Sequence, residues 1–172
     1  MGMSTEQVVG KLRKHAYGVL LWRKDQDTGS YSVFLVRENG PRYWGSGRQK
    51  IWGLPKGGGE VGESAFESAS REFAEEVGMP LPDIKYKKMM DHHRPKVRQM
   101  ITVFTGNASK VDVAYVSSNH RTCEWPRKSG QVVTYPEIED AQWLPLDIAV
   151  RIVLPGQRRI LRKFAKKKKV QL

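Results

Sequence analysis

The stretch Gly57–Met79, GGGEVGESAFESASREFAEEVGM, gathers six glutamates and one arginine inside a chain whose net charge is +12. From Ser64 to Val77 the pattern is helical: a rotation of about 100° per residue brings Phe66, Phe73 and Val77 onto one face. Gly78 is a normal helix stop, and Pro80 follows it. Glu72, Glu75 and Glu76 stand at i, i+3 and i+4, so their β-carbons lie about 5–6 Å apart on a shared face. Like charges at that spacing weaken a helix by a few tenths of a kcal/mol per pair, roughly. Helix stability therefore does not account for them. A bound divalent cation does, because hard ions such as Mg²⁺ take carboxylate oxygens together with substrate phosphates and water. The competing reading is a solvated acidic face. Ala65, Ser68 and Ala69 leave room beside the glutamates, and Gly57–Gly59, directly after Pro55-Lys56, permit a tight turn and a close backbone approach to a ligand. A flexible linker is the alternative for the glycines.

The surrounding sequence predicts the frame for this helix. HAYGVLLWR (15–23) reads as a buried strand, DQDTGS as a turn and YSVFLVR (31–37) as the partner strand of a hairpin. ENGPRYWGSGRQK (38–50) is a Gly/Pro-rich loop, and IWGLP is a short strand leading into the glycines. After the helix, IKYKKMMDHH and VRQMITVFTGN are strand-like. Residues 107–130 are polar and irregular around the short apolar run VDVAYV, then QVVTY and EDAQWLPL return to strand patterning. A final amphipathic helix runs over about 156–168. Strands on both sides of a central helix, with a second helix at the end, predict an α/β layered fold.

At 172 residues the chain is expected to form a single domain with its own core, ending in a basic helix or tail over 157–172. No apolar run approaches the roughly 18 residues of a membrane span, and the first 14 residues hold no signal-like apolar stretch. Cys123 is the only cysteine, which excludes an internal disulfide and a CxxC metal site. A soluble, cytoplasmic setting is the expectation. Residues 157–172 contribute +8 of the net +12. That excess suits an anionic partner such as nucleic acid or polyphosphate, or else marks a solvated, frayed tail.

Gly57, Glu63, Arg71, Glu72, Glu75, Glu76 and Gly78 fill every fixed position of the pattern G-x5-E-x7-R-E-U-x-E-E-x-G-U, with Phe73 and Met79 at the bulky U positions. The stretch resembles the signature of the Nudix hydrolases, and the flanking strands, the WLP at Trp143–Pro145 and the last helix resemble that family's layout more loosely. The resemblance implies an α/β/α sandwich with a mixed β-sheet. It also implies hydrolysis of a pyrophosphate link in a nucleoside diphosphate joined to another group. By the same likeness Glu72, Glu75 and Glu76 hold Mg²⁺ or Mn²⁺, the backbone carbonyl of Lys56 completes the shell, and Arg71 pairs with Glu63 to brace the loop against the helix. A further carboxylate is expected from a late loop, with Glu137 first and Glu139 as the nearby substitute. Glu72 and Glu137 are the candidates for general base.

Substrate choice is less constrained. WGLPKGGGE resembles the branch acting on dinucleoside polyphosphates and diphosphoinositol polyphosphates. Lys56 is expected to meet a phosphate as a point charge, or else to face solvent. His92, His93 and Arg94 in DHHRPKVR are candidate phosphate contacts. Trp44 and Trp52 are candidate stacking rings or core. An RNA enzyme trimming 5′-terminal phosphates, its Lys/Arg tail (Lys166–Lys169) tracking the backbone, is the alternative. A non-catalytic nucleotide sensor is disfavoured, since no motif glutamate is missing.

Overall fold

A computed structural model of the chain describes residues 14–44 and 51–172. The N-terminal stretch read for a signal and the second half of the Gly/Pro-rich loop lie outside the described residues. In chain order the elements are β1 (Lys14–Lys24), β2 (Tyr31–Glu38), β3 (Ile51–Gly53), β4 (Lys56–Gly58), α1 (Ala65–Val77), β5 (Tyr86–Arg94), β6 (Gln99–Asn107), β7 (His120–Glu124), β8 (Val132–Pro136), β9 (Ile138–Pro145), α2 (Leu146–Ile152) and α3 (Arg158–Lys167).

Seven strands form one mixed sheet along the path β3-β2-β1-β6-β5, with β4 added to β1 and β9 to β2. Strand β1 runs parallel to β6 and antiparallel to β2 and β4. Because side chains alternate across a strand, the unbroken apolar run of β1 feeds two cores. Val19 and Leu21 join Phe34, Val36, Phe73, Val77 and Ile138 beneath α1. Leu20 joins Val33, Leu35, Ile101 and Val103 on the other face, under Leu146, Val150, Ile160, Leu161 and Phe164 of α2 and α3. The result is the expected α/β/α layering about a mixed sheet.

Local chemistry fixes α1. Ser64 is its N-cap, accepting from the Glu67 backbone while Glu67 reaches back to the Ser64 N–H, a capping box whose loss costs about 1 kcal/mol. Gly78 ends the helix at φ +82, where a β-carbon would strike Ser117. Loop 108–119 then crosses the helix end. Val116 and Ser117 donate to the Val77 carbonyl, and Asn119 donates to the Glu75 carbonyl at 2.8 Å. These bonds satisfy carbonyls that any helix leaves open at its C-terminus.

Three features depart from the sequence reading. The region 107–130 is not wholly irregular: its second part is strand β7, paired with β8 as a separate two-stranded sheet. Residues 146–152 form a short helix that the sequence reading passed over. The basic C-terminus is not frayed, because Val170 donates to Ala165 and the Lys168 ammonium lies 3.7 Å from the centre of the Trp22 ring. Among the described residues no helix is long and apolar enough to cross a membrane.

Candidate active site

Strand β4 lies along Ala16–Gly18 of β1 and delivers Gly57 and Gly58 to the side of α1. A β-carbon on Gly57 would fall on the Glu72 carboxylate, so only glycine lets that acid rest on the strand. Arg71 knits loop to helix. Its Nε donates to Glu63 at 2.8 Å, one terminal nitrogen donates to the Gly58 carbonyl at 2.7 Å, and the other donates to Glu72 at 3.0 Å and Glu75 at 3.3 Å. Glu63 also accepts from the Glu60 backbone and the Ser68 hydroxyl. The hydrogen bonds from Arg71 and Ser68 bring its pKa down to about 2.

The three helix glutamates differ sharply in setting. Glu76 is buried, 4% exposed, and accepts from the Lys56 backbone N–H at 3.0 Å. Burial pushes its pKa well above the ordinary carboxylate range; the Lys56 ammonium opposes this, and the charge of Glu137 adds to it. Glu72 is also shifted upward, by burial first and then by Glu75 and Glu137 against the pull of Arg71. Glu75 is half-exposed.

Glu137 reaches the same place from the turn between β8 and β9. It pairs with Arg121 at 2.6 Å and accepts from the Asn119 amide at 3.0 Å. Glu139 does not follow it. The register of β9 on β2 slips between Ile138 and Asp140, and such a bulge re-aims the extra residue. Glu139 accordingly lies on Arg37 at 2.9 Å.

Glu76, Glu137, Glu38 and Lys56 line a cleft of about 410 Å³ together with Arg42, Arg121, Arg127 and Tyr135. A second cleft, about 350 Å³, shares Glu38, Arg42, Tyr43 and Lys56 and adds Arg94 and Lys14. The Lys56 ammonium is largely enclosed, at the border of both clefts: it sits 3.2 Å from Glu38, whose other oxygen accepts from the Tyr43 hydroxyl at 2.7 Å.

Other sequence candidates fall elsewhere. Trp52 is core, 7% exposed. Trp44 stands behind the cleft wall, its Nε1 donating to Asn39 and its ring edge-on to Trp125 and Tyr135. His92 is buried with Nε2 donating to the Gly156 carbonyl. His92 and His93 line a different cavity, beside Pro155 and Arg159. Only Arg94 of that group reaches the second cleft. The residues that sequence reading missed are Glu38, Tyr43, Arg42, Asn119, Arg121, Arg127 and Tyr135. The turn composition of PRKSG between HRTCEW and QVVTYP was the available signal for the hairpin that carries three of them.

As placed, no three acids or histidines among the described residues converge tightly enough to hold an ion, because Glu72 leans on Arg71 and Glu137 on Arg121. The donor set nevertheless fits a hard cation. It consists of carboxylate oxygens, one of them buried beside other acids, next to a glycine strand on which the Glu72 carboxylate rests.

A family model described as NUDIX domain matches residues 12–164. A curated relative, an RNA pyrophosphohydrolase of Shewanella denitrificans, is 31% identical over 125 residues, covering 69% of this chain and 70% of its own. Among solved structures, a C. elegans Ap4A hydrolase binary complex superposes with TM-score 0.61 at 18% identity, covering 91% of this chain and 98% of that one. The NUDIX domain of Shewanella oneidensis NrtR complexed with ADP ribose gives 0.58 at 16% identity, covering 96% and 99%. With the complete glutamate signature on the helix that the sheet presents to the cleft, the chain belongs to the Nudix family and is a Nudix hydrolase.

Proposed function

We propose that this hydrolase is a metal-dependent pyrophosphohydrolase acting on a dinucleoside polyphosphate or a diphosphoinositol polyphosphate, as one domain spanning the chain and in a cytoplasmic setting. Glu72, Glu75, Glu76 and Glu137, with the Lys56 carbonyl, are assigned to hold Mg²⁺ or Mn²⁺. The observation that carries the reading is the meeting of buried Glu76 with Glu137, from a separate loop, in a cleft faced by arginines. Such an ion, when bound, neutralises phosphate charge and lowers the pKa of a water molecule. The protein's own part is positional. Arg71 and Glu63 fix the loop against α1, Gly57 lets Glu72 approach, and Asn119 holds Glu137 to the helix end. Glu72 or Glu137 takes the proton from the attacking water. The two clefts that share the wall of Glu38, Arg42, Tyr43 and Lys56 suit a substrate with two bulky ends. The fold shared with an Ap4A hydrolase is consistent with that choice.

The test is phosphorus NMR of products from diadenosine tetraphosphate, water and Mg²⁺. ATP and AMP in equal amounts, absent with Glu76→Gln, support the reading. Intact substrate removes the dinucleoside branch and moves inositol pyrophosphates forward.

A second reading is favoured by one observation, the 31% identity to a protein named an RNA pyrophosphohydrolase. Under it, the exposed cations Arg162, Lys163 and Lys166 of α3 track an RNA backbone. Charge reversal at these three positions then flattens the salt dependence of activity on 5′-triphosphorylated RNA. A small-molecule hydrolase keeps its rate.

A further inference from the structure

Glu137 is held from two sides, and the two partners hold it differently. Its Oε2 accepts from the Asn119 amide at 3.0 Å, and its Oε1 lies 2.6 Å from the Arg121 guanidinium. Asn119 is itself fixed. Its backbone N–H donates to the Glu75 carbonyl at 2.8 Å, and its carbonyl accepts from the Glu137 N–H at 2.9 Å. Beside it the Ser118 hydroxyl accepts from the Ile138 N–H at 2.9 Å, closing the loop onto β9. One residue therefore ties the end of α1 to both the backbone and the side chain of Glu137.

Arg121 has no such footing. Its side chain is 60% exposed against 21% for Glu137, and it rides on β7, whose hairpin with β8 pairs with no strand of the main sheet. An ion pair with one partner this exposed is weak and readily exchanged. The two partners also differ in charge. A neutral amide orients a carboxylate without competing for its charge, whereas a guanidinium beside it repels any second cation that approaches. The charge of Glu137 is felt at both Glu72 and Glu76, and that of Glu72 is felt at Arg121. A divalent ion among these acids is thus close to Arg121 as well.

We propose that Asn119 is a positioning residue that keeps Glu137 aimed at the α1 glutamates, and that Arg121 is a built-in cation which Glu137 exchanges for the divalent ion. The inference rests on the reading of Glu72, Glu75, Glu76 and Glu137 as the metal-bearing acids. The two roles oppose each other. Asn119 raises the affinity of the site for a divalent cation. Arg121 lowers it, and in the metal-free protein it balances a carboxylate that the neighbouring acids repel.

The test is Mn²⁺ binding to the full chain, read by the paramagnetic resonance of free Mn²⁺, with circular dichroism in EDTA to confirm that each variant folds. Asn119→Ala is expected to weaken binding roughly tenfold or more, the usual loss when a group that orients a metal ligand is removed. Arg121→Gln is expected to strengthen it about threefold, the scale of one exposed charge pair. In a Glu137→Gln background both effects should vanish, because contacts that act through one residue are not additive. A merely structural Asn119 would weaken binding equally in both backgrounds. If Glu137→Gln alone weakens binding, the assignment of Glu137 stands. The proposal is then overturned if Arg121→Gln fails to strengthen binding, if Asn119→Ala fails to weaken it, or if either effect survives in the Glu137→Gln background. Wild-type Mn²⁺ affinity in Glu137→Gln is the other result: it removes Glu137 from the metal site and the proposal with it.

Discussion

The Glu72 carboxylate occupies the space that a β-carbon on Gly57 would need. The glycine at the head of the signature is therefore a steric requirement of a glutamate fifteen residues later, not a source of flexibility. Gly57→Ala is expected to keep the fold, since the overlap is with the end of a side chain, and to push Glu72 away from β4. Mn²⁺ affinity and kcat should fall roughly 10- to 100-fold, the usual loss when a supporting group around a metal is disturbed. Circular dichroism beside a Mn²⁺ titration checks this, and an unchanged affinity contradicts it.

Glu63 gives a pH signature. Its pKa in the folded chain is about 2, below an unfolded value of about 4.3. A depressed carboxylate stabilises the fold fully above its unfolded pKa and loses that contribution as pH falls toward the folded one. The melting-temperature gap between wild type and Glu63→Gln should be constant above about pH 5 and close between there and about pH 2. A gap that does not change with pH would show that the Arg71 clasp on Glu63 carries no charge-dependent stability.

Lys56 and Glu38 form a largely enclosed pair, with 15% and 20% side-chain exposure. Burial disfavours both charges, yet each partner holds the other ionised, so Lys56 is shifted upward and Glu38 downward. Glu38→Ala leaves the ammonium with Glu76 as its remaining acid, and removal of one member of a buried pair costs about 3–5 kcal/mol. Urea unfolding should record that loss. The double variant Glu38→Ala/Lys56→Met should recover part of it, and additive losses would contradict the pairing.

The helix and its stop were legible in the sequence because their signals are local: spacing at 3 and 4, Gly78 at the end, glycines beside acids. The two-faced sheet was legible from unbroken apolar runs. Strand β8 was read from QVVTY, but β7 and the pairing of the two were not, since neither strand contains a buried residue and an exposed hairpin has little apolar alternation to read. Helix α2 was hidden by length and composition, seven residues of which Ile148, Val150 and Ile152 are β-branched and weak helix formers. The site itself divides along the same line. Placement of Glu72, Glu75 and Glu76 follows from one helix. Glu137 against Glu139 turns on a bulge between strands distant in sequence. The fate of the Lys56 ammonium depends on Glu38, eighteen residues earlier, and no spacing rule connects them.

The central claim is that Glu76 and its neighbours hold a divalent cation. The most direct measurement is Mn²⁺ binding to wild type and Glu76→Gln, read by the paramagnetic resonance of free Mn²⁺ and by thermal unfolding across pH. Glu76 has a raised folded pKa, so metal-free wild type should lose stability as pH climbs above about 4.3. Glu76→Gln should be spared that loss. Mn²⁺ should restore the wild type alone, and the variant's affinity should fall by more than the roughly 10- to 100-fold typical of losing an outer-shell partner. Equal Mn²⁺ affinity in the two proteins would contradict the account.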